Sequence, residues 1–502
     1  MRDVLERSMP KTAANLRCGT DRVSDALQEA RKRVTTGWAA QGQERGYHKV
    51  PALILFAGVA RLAVDSESFL DNSWYTAFPV LTLDDIVDPQ TALSLGVLFL
   101  VLAVAGVIEC LRFPRVVGHR SLVGVARTLL QVLGDFVLIP YYALSPAEVP
   151  QLGYQATDVN AELVAQCPCF KSYFCTPWLR NPYAAFAWYT LLELLPLRSR
   201  PEHKINRQRV VMPDGGTVCL DWVEDGMKDE EVAKVLLIAS TWSGDSLTSQ
   251  ARTIAGEFLP HGWRVVTFVK RGAGLRMANP LTSERTFSLD IDQDLITCVD
   301  LVQARCPRAF IAGAGVSKGA VELRAYAARF GAQSKIRAVV NIDAGISWNE
   351  CIENVDRNLP AIGKVLADSV NAPCLEYQRK HGSEKFGDLT KVQTVVDFLR
   401  VGMIPSHGSE MGVENFMHQY TIDPVTIAVP CLEVLTHNDM LIPQDCLDGC
   451  VNLHKMNRHV LNLTTVWGTH AMRFSGWSSK CWLPRATFEF LEAASKVAAR
   501  AG

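Results

Sequence analysis

Apolar positions in this chain fall into two regimes. From Val50 to Leu144 they form long runs, and from about Tyr173 onward they form short runs separated by helix-length segments. The stretch from Pro89 to Ile108 has no charged side chain and is dominated by Leu, Val and Ala. It matches the about 20 residues that cross a bilayer, and helices of soluble domains are seldom apolar all round for that length. The pattern therefore predicts a membrane span, best placed at 89–111. The flanking runs are less regular. Val50 to Val64 is short and holds Arg61, while Leu122 to Leu144 carries Arg127, Gln131 and Asp135. Those three recur every four residues and share one helix face, which suits an interfacial helix or a span packed against protein. A residue set with Asp65, Glu67, Asp71, Asp84, Asp85 and Asp88 lies between the first two runs, and basic residues (Arg31 to Lys49; Arg112, Arg115, Arg120) flank them. By the positive-inside rule, a hairpin would keep both flanks cytosolic. A third crossing would move the remainder to the other side, and the sequence leaves that choice open.

In the second regime, Val235 to Ile238, Val265 to Phe268, Phe310 to Ala312, Val339 to Ile342, Leu432 to Leu435 and Leu461 to Val466 read as strands. Helical segments such as Ser288 to Cys306 and Val316 to Phe330 lie between them. Strands alternating with helices predict an α/β fold with a mostly parallel central sheet covered on both faces. The interval 349–423 is too long for one crossover and reads as a helical cap. The expected organisation is a polar arm (1–49), a hydrophobic helical membrane region (50–146), a linker with an opening motif (147–200) and a catalytic-type α/β domain (201–502).

Composition narrows the function classes. The net charge of −1 offers no electrostatic footprint for nucleic acid. The 14 cysteines lack zinc-type spacing, and Cys219, Cys298 and Cys431 sit in apolar runs, where a buried thiol is expected. A reducing compartment is favoured. Neither a P-loop nor a Rossmann spacing fits Gly313-Ala314-Gly315, so no nucleotide is implied, and no metal or other cofactor either.

The chemistry points to one constellation. Gly315-Val316-Ser317-Lys318-Gly319 follows an apolar strand and opens a helix. A serine on such a sharp turn exposes its hydroxyl above a sheet, and Gly315 and Gly319 relieve the crowding on either side. A serine nucleophile needs a base, and the base an orienting acid. Asp439 lies just past the strand Leu432 to Leu435, and His470 just past Leu461 to Val466, in the chain order nucleophile, acid, base. The backbone N–H of Lys318 is one candidate oxyanion donor, and that of Trp242, in the loop after Val235 to Ile238, is the other.

From about Cys175 to Ala498 the chain resembles the α/β-hydrolase domain-containing family of YheT-type esterases, embryogenesis-associated plant hydrolases and yeast ethyl-ester acyltransferases. Thr176-Pro177-Trp178-Leu179-Arg180-Asn181, Pro213-Asp214-Gly215-Gly216 with Leu220-Asp221-Trp222, Arg271-Gly272 and the elbow Gly315 to Ala320 carry the likeness. The resemblance implies an α/β-hydrolase fold and an esterase, lipase or acyltransferase acting on acyl lipids, tethered by an N-terminal membrane segment. The expected setting is an intracellular membrane such as the endoplasmic reticulum, with the side of the catalytic domain open. Two positions depart from the family pattern. Ser240-Thr241 replaces a Pro-Gly or His-Gly pair in the oxyanion loop, and Pro182-Tyr183-Ala184-Ala185 replaces Gly-His-Leu-Gln. Three readings follow: a membrane-associated serine hydrolase of acyl esters, an acyltransferase using the same acyl-enzyme, and a catalytically weak lipid-binding or scaffolding protein.

Overall fold

The computed structural model describes residues 138–194, 203–274, 279–289, 293–420 and 424–501, all within the unit Pro79–Gly502. The expected arm at 1–49, the apolar region up to residue 137 and the span at 89–111 lie outside the described residues. Among the described residues no helix is long and apolar enough to cross a membrane.

A nine-stranded sheet organises the described chain. In sequence order its strands are β1 (Gln151–Gly153), β2 (Ile205–Val211), β3 (Thr217–Val223), β4 (Lys234–Ala239), β5 (Arg264–Val269), β6 (Phe310–Val316), β7 (Ala338–Ile342), β8 (Cys431–Thr436) and β9 (Val460–Thr465). Their spatial order is β1-β9-β8-β7-β6-β4-β5-β3-β2. From β5 to β9 neighbouring strands run parallel, whereas β2, β3 and β1 pair antiparallel at the edges. The principal helices are α1 (Asp158–Ala165), α2 (Pro182–Leu194), α3 (Ser249–Phe258), α4 (Gln293–Arg305), α5 (Lys318–Phe330), α6 (Trp348–Asn358), α7 (Pro360–His381) and α8 (Leu483–Ala501).

The central strands are apolar on consecutive positions because both faces are buried. Leu236 and Ile238 join one core with Ala251, Ile254 and Phe258 of α3 and Phe490 of α8. Val235, Leu237 and Ala239 join the other with Leu295 and Val299 of α4 and Leu323 of α5. The order of successive strands reverses at β4, which pairs β5 on one side and β6 on the other. Ligands of open α/β sheets bind beyond the strand ends at such a switch point. Here the loop after β4 and the turn after β6 meet there.

The helices between β7 and β8 form the cap. Its own core gathers Ile352, Ala367, Val370, Phe386, Phe398, Leu399 and Phe416 around Trp242 and Phe287 of the sheet domain.

One segment departs from the sequence reading. The expected linker with an opening motif spans 147–200, and its described part, 147–194, packs into the fold. Gln151–Gly153 pairs with Asn462–Thr464, Leu163, Cys167, Phe170 and Tyr173 enter the core, and the Tyr173 hydroxyl donates to Phe474 O at 3.0 Å. A strand of three residues is too short to show an alternating pattern, and its partner is about 300 residues away. The motif itself works as a cap: Asn181 Oδ1 accepts from the N–H groups of Tyr183 and Ala184 at the start of α2, with Pro182 at the first helical position.

A buried ion pair ties the pieces that hold the site. Arg324 of α5 reaches Glu433 of β8 through Nε (2.9 Å) and Nη2 (2.6 Å), and donates to the carbonyls of Ala344 and Gly345 beyond β7. Asn341 of β7 donates to the same carboxylate at 2.8 Å. Removing one partner strands the other charge in the interior. Arg324→Met is therefore expected to cost about 3–5 kcal/mol of stability, measured by urea unfolding. An unchanged midpoint would contradict this accounting.

Candidate active site

Ser317 stands between β6 and α5 with φ 55° and ψ −119°, a backbone shape that a serine adopts only under constraint. Close packing supplies the constraint. A Cβ on Gly315 would lie 2.4 Å from Ala320 Cα, and one on Gly319 would lie 2.1 Å from the Ala239 carbonyl oxygen. The turn can press against the end of β4 only because both positions are glycine. The N–H of Lys318, the first residue of α5, is among the amides that a helix start leaves without an intrahelical acceptor.

His470 and Asp439 come to this turn from the ends of β9 and β8. His470 Nε2 lies 2.8 Å from Ser317 Oγ, and Nδ1 lies 2.8 Å from Asp439 Oδ2. A carboxylate only accepts, so Nδ1 carries the proton and Nε2 accepts from the serine hydroxyl. The other carboxylate oxygen, Asp439 Oδ1, accepts from the N–H groups of Leu441 (2.8 Å) and Ile442 (3.0 Å). That leaves the acid oriented, with its side chain fully buried. In this arrangement the imidazole can take a proton from Ser317 and return it to a leaving group.

A second acid completes the surroundings. Asp343 follows β7 with φ 51°, is buried, and forms a bidentate pair with Arg473 at 2.9 and 2.7 Å. It also accepts from the N–H of Ala471, the residue after the histidine, at 2.6 Å, while Ala471 itself has φ 64°. Asp343, Asp439 and His470 bring ligand-type atoms within 4.8 Å of one another. Those atoms are committed to the bonds just described, and the Arg473 guanidinium in the cluster opposes a cation.

Above Ser317 lies a cavity of about 230 Å³ between sheet and cap. Trp242, Val321, Trp348, Ile352, Val355 and Leu366 give it an apolar wall, with Ser317, Lys318, Thr241 and His470 on its floor. Trp242 enters through its side chain: its indole N–H donates to Leu366 O at 3.2 Å, and its ring meets Phe287 edge-on at 5.2 Å. It pins the cap to the sheet.

No family model matches the chain. The mouse protein Phospholipase ABHD3 is 23% identical over 369 residues, covering 70% of this chain and 86% of its own. The Picea glauca Embryogenesis-associated protein EMB8 is 32% identical over 131 residues, or 24% of this chain and 28% of that protein. The chain resembles proteins of the α/β-hydrolase domain type. An esterase structure from Rhizomucor miehei aligns over 63% of this chain and 90% of its own at 11% identity, with a TM-score of 0.39, too distant to add to what the topology shows.

The sequence reading brought out Ser317, Asp439, His470 and Lys318, and the fold brings these four together. It missed Asp343 and Arg473. Their signals were faint: an aspartate at a strand end before Ala344-Gly345, and an arginine three residues past the histidine. Burial opposes a charge on His470, but the adjacent Asp439 carboxylate, aided by Asp343, outweighs it and holds the imidazole above its ordinary 6.5. His470 should therefore titrate above 6.5, and Asp439→Asn should bring it down; the Cε1–H NMR signal reads both. The raised value also fixes a sign. This histidine stabilises the fold fully below about pH 6.5, and the contribution is lost as pH rises through the folded-state value.

Proposed function

We propose that this protein is a serine hydrolase of carboxylic acyl esters that acts on lipid substrates. The observation that carries the reading is the relay Ser317–His470–Asp439, at 2.8 Å per step, opening into an apolar cavity under the cap. The name of the mouse relative, a phospholipase, supports a lipid ester.

In this mechanism the acyl chain lies along Trp348, Ile352 and Val355, and the ester carbonyl rests over Ser317. The Ser317 oxygen bonds to the carbonyl carbon as its proton passes to His470 Nε2, and the carbonyl π pair moves onto oxygen. Backbone N–H groups, that of Lys318 first, stabilise this oxyanion. Collapse expels the alcohol, which takes the proton from His470. Water then attacks the acyl-enzyme by the same steps in reverse roles, freeing the acid. Asp439 holds the tautomer throughout and carries no proton. An alcohol in place of water would give acyl transfer.

We also assign the apolar region at 50–146 to anchoring, with residues 89–111 as the span, the polar arm at 1–49 as a solvated segment and the domain at 201–502 as the catalytic unit. Under this assignment the full chain stays with membranes in alkaline carbonate and leaves them in detergent. Release by carbonate alone would remove the anchor.

Fluorophosphonate labelling tests the nucleophile. Wild type should label and Ser317→Ala should not; an unlabelled wild type, or a labelled variant, refutes the hydrolase. Ser317→Ala and His470→Ala should each lower ester hydrolysis on the order of 10⁶-fold, and the double variant no further, because the residues act as one unit. Val355→Trp should lower kcat/KM for long relative to short p-nitrophenyl esters by about tenfold, through loss of acyl space.

A further inference from the structure

Two lysines are buried beneath the elbow and the mechanism above uses neither side chain. Lys270, the first residue after β5, and Lys318, the first of α5, are each 1% exposed and share the carboxylate of Glu322 on α5. Lys318 Nζ pairs with Glu322 Oε1, and Lys270 Nζ lies 3.6 Å from Oε2. Lysines are almost never buried so fully without a reason in their partners. For Lys270 the partner is the oxyanion loop: its Nζ donates to the Ser240 carbonyl oxygen at 2.8 Å.

That bond has a geometric consequence. A trans peptide is planar, and its C=O and N–H point in opposite directions. Holding the Ser240 oxygen fixes the direction of the Thr241 N–H on the far side of the same plane. The Ser240 oxygen is wedged from a second side, since a Cβ on Gly319 would lie 2.5 Å from it. Thr241 lines the cavity with Ser317 and Lys318. Ser240 Oγ and Thr241 Oγ1 both turn toward Gly244, where a Cβ would lie 2.4 and 2.6 Å from them. Gly244 thus makes room for the side chains that replace the family's glycine.

We propose that Lys270 is a positioning residue for the oxyanion hole, aiming the Thr241 N–H into the cavity as the second donor beside that of Lys318. The second donor is then one residue earlier than the Trp242 expected from the sequence. Trp242 keeps the separate task of holding the cap. The charged groups facing Lys270 are Glu322, which favours its ammonium, and Lys318, which opposes it; burial acts first and lowers its pKa to about 8. A neutral amine still donates, so the contact survives that titration.

This inference rests on the serine-hydrolase reading, and its test separates the two. In the full chain, Lys270→Met should lower kcat roughly 10- to 100-fold with KM little changed, because the lost alignment matters only once the oxyanion forms. Affinity for a long-chain trifluoromethyl ketone, which adds Ser317 and leaves an oxyanion in the same hole, should fall by the same factor. Lys270→Gln, a neutral donor, should recover most of both. Should Lys270→Met not fold, Lys270→Leu, which likewise leaves the Lys318–Glu322 pair intact, takes its place. A folded variant with wild-type kcat and ketone affinity overturns the proposal, as does a joint change of kcat and KM that Gln does not rescue. Fluorophosphonate labelling that survives Ser317→Ala overturns the hydrolase reading instead.

Discussion

The site depends on one close approach, the start of α5 pressed against the end of β4. Gly319 packs on the Ala239 and Ser240 carbonyls with no space for a side chain between them. This contact holds Ser317 in its unusual backbone shape and sets the distance between its turn and the loop after β4. Both elements belong to neighbouring parallel strands, paired from Lys234 with Phe310 to Ala239 with Gly315. The register of that ladder therefore fixes the geometry around Ser317. A slip by one residue would turn every side chain to the other face.

Around this contact the fold places buried charges in matched sets. Arg324 with Glu433 links α5 to β8, Asp343 with Arg473 holds the turn after His470, and Lys270 and Lys318 share Glu322. Such pairs are a poor source of net stability, since desolvation offsets most of their attraction. What they supply is direction. Each ties together segments that carry or adjoin Ser317, Asp439 or His470. The cap supplies apolar walls to the cavity above Ser317, and the Trp242 side chain joins it to the loop after β4.

Much of this was legible in the chain. The strands β4 to β9 follow from short apolar runs because strands buried on both faces must be apolar at consecutive positions. The elbow was legible because a strand-to-helix turn with a strained serine admits only small neighbours. Asp439 and His470 were legible because each follows a recognisable strand within a few residues. The edge strand Gln151–Gly153 was not, since its partner lies on β9 and three residues carry no periodicity.

By itself, then, the sequence determined the α/β class and the order of the central strands and helices, and it pointed to Ser317, Asp439 and His470, all of which rest on local periodicity and turn chemistry. Only the tertiary structure decided how those residues are held. Asp343 meets Arg473 across 130 residues, and Arg324 meets Glu433 across 109. Lys270 reaches Ser240 from the next strand, 30 residues on. A charged side chain near a strand end reads the same in sequence whether it faces water or a buried partner. Burial and pairing are properties of the folded chain, and they turn three ordinary residues into the frame of the site.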